Sequence, residues 1–241
     1  MKRVGHKGAD LIHPGNSLGS FEAAVEADVD VVELDVLWTR DGHPRIPLAE
    51  RSPLVIAHDW HDAARREPLT LAEGLDAFTR PPLDQVEIDL DIKLPGREEE
   101  IVAAVCEREL LGRAMISTME LSTLARIGEL EPGLRRGWTY PKVTKDWASK
   151  RWAKAPMLGA LAWMRQRLPG LAARELPKMG VEAMWVYHPL VSRRLAKITD
   201  LAAVELIAWT VDDLPRMQKL VAAGVNGICS NDPRLFAALA P

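Results

Sequence analysis

The sequence predicts one α/β domain over residues 1–241, a closed (β/α)8 barrel, on three observations. Eight short apolar runs have the length and β-branched content of buried strands. Most are followed by a segment of helical period, the alternation that a parallel sheet requires. A length of 241 residues suits eight such strand–helix units.

The strands are expected at residues 2–6, 29–36, 85–93, 113–118, 134–140, 182–188, 205–211 and 225–230. Helical period follows at 17–27, 97–110, 121–131, 192–200, 213–223 and 233–239. A weak repeat, Ala27-Asp28-Val29, Met179-Gly180-Val181 and Ala223-Gly224-Val225, ends three helices and enters three strands, as helix C-caps do. The run at 54–58 breaks the alternation. The stretch before it holds Asp41-Gly42, a hairpin turn signal, with Pro44, Pro47 and Pro53, which exclude a crossover helix. The run is therefore expected to fold back over the C-terminal end of the second strand, the end at which barrels of this kind carry their chemistry.

Hydrophobic residues make up 47% of the chain, enough for a full core, and a net charge of −3 gives no nucleic-acid signal. No apolar run approaches the roughly 18 residues of a membrane span. The N-terminus enters a strand directly, without the apolar stretch of a secretory signal, so a cytoplasmic protein is expected. Cys106 and Cys229 lie far apart and are read as buried thiols in a reducing compartment.

Ionisable residues gather where strands end. They are His6-Lys7-Gly8, Glu33-Leu34-Asp35, His58-Asp59 and Asp91-Ile92-Lys93. Side chains alternate along a strand, so Glu33 and Asp35 share a face, as do Glu87, Asp89, Asp91 and Lys93. Lone buried charges are costly, so these either compensate one another in ion pairs with Lys93 and Lys7 or surround an ion. Glu33, Asp35 and Asp91 are hard oxygen ligands suited to Mg²⁺ or Ca²⁺. His6 and His58 at catalytic-end positions are candidates for an acid/base pair, with Lys93 holding phosphate oxygens. His188, at the end of the sixth strand, is a weaker candidate for lining the pocket.

These residues resemble the glycerophosphodiester phosphodiesterase family, a phosphatidylinositol phosphodiesterase-like TIM barrel. Its His-Arg-Gly appears as His6-Lys7-Gly8, its Glu-Asn-Thr as Gly15-Asn16-Ser17, and its Glu-x-Asp-Val as Glu33-Leu34-Asp35-Val36. Thr39-Arg40-Asp41-Gly42 and His58-Asp59 follow, and the family's Glu-x-Lys appears as Asp91-Ile92-Lys93. Trp209-Thr210-Val211, Gly224-Val225-Asn226-Gly227-Ile228 and Ser230-Asn231-Asp232-Pro233 match its last strands. The resemblance implies a divalent cation, Mg²⁺ or Ca²⁺, and hydrolysis of a glycerophosphodiester to glycerol 3-phosphate and an alcohol. Carried over by residue, His6 and His58 are the acid/base pair and Glu33, Asp35 and Asp91 the metal ligands. Lys93 contacts phosphate, Asn16 is a hydrogen-bonder at the site, and Lys7, His188 and Trp209 complete the expected substrate contacts. Gly8 is expected to let the backbone approach the phosphate.

The chain departs from the family at Lys7, Gly15 and Asp91. It also has only about ten residues between Asp59 and the next helical period, so the insertion after the second strand is reduced. Lys7 keeps the charge of an arginine but loses its fork. Asp91 also fits a sphingomyelinase D-like, lysophospholipase D-type cleavage of a lysolipid headgroup. A barrel that only binds a phospholipid or phosphosugar is a third reading, and a zinc amide hydrolase lacks its histidine ligands. Residues 142–174 carry Lys142, Lys145, Lys150, Arg151, Lys154, Arg165, Arg167 and Arg174 against Asp146 alone, interleaved with Trp147, Trp152 and Trp163. Such a segment is either an outer barrel helix with a solvated face or a contact with an anionic membrane surface.

Overall fold

The computed structural model describes residues 1–38, 52–142 and 154–239. Eight parallel strands close on themselves. They are β1 (Lys2–Gly5), β2 (Val31–Trp38), β4 (Glu87–Ile92), β5 (Ala114–Thr118), β6 (Arg135–Tyr140), β7 (Ala183–Tyr187), β8 (Glu205–Trp209) and β9 (Gly227–Ser230). β1 pairs with both β2 and β9, which closes the barrel. β3 (Leu54–Ile56) is antiparallel to β2, with Val36 opposite Ile56 and Trp38 opposite Leu54. The expected fold-back is therefore present, while the Asp41-Gly42 turn and Thr39-Arg40 lie outside the described residues.

The helices are α1 (Leu18–Glu26), α2 (Trp60–Arg65), α3 (Leu71–Ala77), α4 (Glu98–Cys106), α5 (Leu121–Leu130), α6 (Lys154–Met179), α7 (Arg193–Leu201) and α8 (Leu214–Val221). Capping boxes at Ser17 and Thr70 start α1 and α3 by satisfying their first backbone N–H groups. The expected last helix is instead a 3-10 turn, Pro233–Ala238, entered through Pro233 and the Asp232 cap. α2 carries no buried residue and has no sequence period to announce it; the Asp59 cap, accepting from the Asp62 N–H, starts it. In α6, Leu168, Ala172 and Leu176 are buried against the barrel while Leu158 and Trp163 face outward. The described part of the basic segment thus forms an outer barrel helix, and residues 143–153 lie outside the described residues. Among the described residues no helix is long and apolar enough to cross a membrane.

The barrel interior is layered. At the bottom, Lys2 pairs with Glu87 and Glu205, and Arg135 pairs with Glu87. Above them Val4, Val31, Met115, Ala183, Ile207 and Cys229 pack as an apolar plug. The polar tier lies above the plug. Glu87, at the base of the four-charge face, is thus a structural ion-pair member rather than part of the site. Cys229 is buried as expected, but Cys106 is exposed. The inner face of α4 is filled by Ile101, Val102 and Val105, which leaves position 106 outside.

Gly8 answers to packing. Its φ is +81°, and a Cβ there would lie 2.5 Å from the backbone carbon and oxygen of Ser20. The Gly8 N–H donates to the Glu33 carbonyl at 3.1 Å, tying the β1–α1 loop to β2. The close neighbour that requires glycine here is α1. Gly8→Ala is expected to lower stability by roughly 2–3 kcal/mol, measured by urea denaturation; a loss under about 0.5 kcal/mol would contradict this packing account.

Candidate active site

The parallel register of β2 and β4 builds the centre of the site. Glu33 lies opposite Asp89, and Asp35 opposite Asp91. One carboxylate oxygen from each of Glu33, Asp35 and Asp91 falls within 4.8 Å of the others. Lys93 enters the same cluster with its Nζ 2.5 Å from Asp35 Oδ1 and paired to Asp91. Burial would raise Asp35, but Lys93, His58 and His6 hold it well below the usual carboxylate range. Burial, then the charges of Asp35 and Asp91, push Glu33 well up. Burial would lower Lys93, yet the Asp35 and Asp91 carboxylates hold it above the usual lysine range.

Three carboxylates face one lysine, whose Nζ already lies 2.5 Å from Asp35 Oδ1, and this leaves an excess of acidic oxygens in the cluster. This donor set of hard oxygens fits a divalent cation.

Two neighbours orient these carboxylates. Asn16 is fully buried with φ +59°; its Nδ2 donates to Asp35 Oδ2 at 2.7 Å and its Oδ1 accepts from the Asp35 N–H at 3.1 Å. The Lys7 N–H donates to Glu33 Oε2 at 2.7 Å. Asn16 is the hydrogen-bonder at the site that the sequence reading expected, and it spends both bonds on Asp35. The Lys7 ammonium turns 2.5 Å from Asp10, leaving its backbone to serve the site.

The two histidines occupy different environments. His6 Nδ1 lies 2.6 Å from Asn231 Oδ1. Asn231 in turn donates from Nδ2 and from its backbone N–H to the Asp212 carboxylate, at 2.7 and 2.8 Å. A carboxylate only accepts, so Asn231 Oδ1 must face His6, and His6 carries its proton on Nδ1. That leaves Nε2 as a free base. Burial lowers the His6 pKa. His58, reached from β3, is exposed; its Nδ1 is 3.4 Å from Asp59 Oδ2.

A cavity of about 90 Å³ joins these groups and is lined by His6, Glu33, His58, Asp91, Lys93 and Trp209. Asp89, Ser117 and Trp185 form its deeper wall, with Ser117 Oγ donating to Asp89 Oδ2 at 2.7 Å. A wider hollow of about 520 Å³ shares His58, Asp91, Lys93 and Trp209 and adds Met119, Glu120 and Lys142. His188 lies elsewhere. Its Nδ1 accepts from Arg216 Nε at 3.0 Å, and burial together with the Arg216 charge brings its pKa down to about 4. Asn231, Asp212, Asp89, Ser117 and Trp185 escaped the sequence reading, although Asp89 stands on the predicted face and Asn231 and Asp212 follow predicted strands.

Comparison with known proteins agrees with this geometry. The model of the Glycerophosphoryl diester phosphodiesterase family matches residues 6–46 and 78–235. A glycerophosphodiester phosphodiesterase of Caldanaerobacter subterraneus is 25% identical over 95% of this chain and 93% of its own length. Among solved structures, a glycerophosphodiester phosphodiesterase of Parabacteroides distasonis superposes with a TM-score of 0.72 at 17% identity, covering 99% of this chain and 98% of that one. An Oleispira antarctica phosphodiesterase, solved with the product sn-glycerol-3-phosphate, superposes with a TM-score of 0.67 at 18% identity over 99% and 96% of the two chains. A closed barrel with the carboxylate cluster at its C-terminal end, matched by the family model over most of its length, makes this chain a member of the glycerophosphoryl diester phosphodiesterase family.

Proposed function

We propose that this protein hydrolyses a glycerophosphodiester to glycerol 3-phosphate and an alcohol in a metal-dependent reaction, with His6 as general base and His58 as general acid. The observation that supports it best is that two differently housed histidines, Lys93, and Glu33 and Asp91 of the three-carboxylate cluster line one cavity, with Asp35 buried directly behind. Glu33, Asp35 and Asp91 would hold Mg²⁺ or Ca²⁺. Bound there, the cation would supply positive charge to the phosphate oxygens and their developing negative charge.

The chain's own groups do the rest. Lys93 adds a second positive charge beside the phosphate. His6, neutral and with Nε2 bare, accepts the proton of the attacking water or substrate hydroxyl. His58 stands where the narrow cavity widens, shared by both hollows, and donates a proton to the departing alkoxide. Trp209 gives an apolar wall for the carbon skeleton.

Product identification tests the reaction. With glycerophosphocholine and Mg²⁺ or Ca²⁺ the expected products are choline and glycerol 3-phosphate, and chelation abolishes them. Turnover of lysophosphatidylcholine alone would replace this reading with lysophospholipase D-type cleavage, and turnover of neither would remove it. His6→Ala is expected to lower kcat by at least about a hundredfold with metal binding retained; turnover at the wild-type rate would exclude His6 as the base. Because burial lowers the His6 pKa, its base form survives acidification past the ordinary histidine range. The acid limb of kcat/KM is therefore expected below that range, and a limb above it would contradict the assignment. Asn16→Ala, which frees Asp35, is expected to weaken metal binding by about tenfold to a hundredfold, measured by calorimetry.

A further inference from the structure

The family model leaves residues 47–77 unmatched, and His58 lies in that stretch. What holds His58 in place therefore has to be found in this chain's own contacts. α2 has no buried side chain and cannot be fixed by packing alone. One end is pinned by Trp60, whose Nε1 donates to the Trp38 carbonyl at 2.9 Å. The other end closes on Arg66.

The Arg66 guanidinium has four hydrogen bonds. Its Nε and Nη2 donate to the two oxygens of Asp62, both at 2.9 Å, in a bidentate fork. Nη2 also reaches the Ile56 carbonyl at 3.3 Å, and Nη1 the Asn16 carbonyl at 3.2 Å. Asp62 Oδ2, already held by the fork, accepts from the His58 N–H at 3.1 Å. Asn16 is the residue whose side chain grips Asp35. One planar cation thus joins the end of β3, the backbone of His58 and the loop that holds a carboxylate of the cluster.

We propose that Arg66, acting through Asp62, is the positioning residue for His58, setting the distance from its imidazole to the departing alkoxide. The inference rests on His58 being the general acid of the reaction proposed above. Lysine has no fork and cannot span Asp62 and two carbonyls together, so the role is specific to arginine.

The test compares two leaving groups. Choline leaves as a strongly basic alkoxide and needs a proton; 4-nitrophenolate leaves without one. Arg66→Met and Asp62→Asn are expected to lower kcat on glycerophosphocholine about thirtyfold with KM changed less than threefold, while kcat on the 4-nitrophenyl ester of glycerol 3-phosphate changes less than threefold. Millimolar guanidinium is expected to restore part of the loss in Arg66→Ala but not in Arg66→Lys. Equal losses on both esters would show a general structural role and overturn the proposal, as would no loss on either. His58→Ala, run in parallel, separates the two levels. If it loses both esters equally, the general-acid assignment falls. If it is selective and the Arg66 and Asp62 variants are not, only the positioning role falls. Should one variant fail to fold, the other decides.

Discussion

The structure depends above all on the register between β2 and β4. Setting Asp35 opposite Asp91 and Glu33 opposite Asp89 brings acidic groups face to face inside a barrel, where charges are costly unless compensated. Lys93, directly after the strand that carries Asp91, compensates part of that charge. The remainder leaves an acidic centre whose oxygens suit a divalent cation. A slip of one residue would turn the whole acidic set to the outer face of the barrel, so the bottom ion pairs and the apolar plug beneath serve function by fixing that register.

The two histidines show how one barrel end creates two kinds of imidazole. His6 follows a central strand and is buried, with its proton fixed by Asn231 and Asp212 from the last two strand ends. His58 arrives on a short antiparallel strand at the edge and stays exposed, beside Asp59. These two environments follow from topology before any substrate is considered.

Much of this was legible in the sequence. Strand periodicity found every barrel strand, and the run at Leu54, expected to fold back, is β3, antiparallel to β2. Alternation along β4 put Asp89, Asp91 and Lys93 on one face. What stayed hidden depends on distance in sequence. Nothing local tells that Glu87 meets Lys2 and Arg135 at the barrel bottom, or that Asn16 spends its side chain on Asp35. The same holds for His188, drawn to Arg216 of α8 and away from the cavity. The contacts of Lys7 and Gly8 were hidden for a related reason: Asp10 in the β1–α1 loop and Ser20 in α1 meet them through a fold with positive φ angles at Lys7, Gly8 and Asn16 that no periodicity reveals.

The central claim is that Glu33, Asp35 and Asp91 hold a cation on which turnover depends. The most direct test is a paired titration of Mg²⁺ and of Ca²⁺ by calorimetry and by initial rate, on the wild-type chain and on Glu33→Gln. The account predicts one site per chain, a half-saturating concentration for turnover equal to the calorimetric Kd, and a shift of both by the same factor in the variant. Full turnover in chelator, or a variant that loses metal binding but keeps its rate, would contradict it.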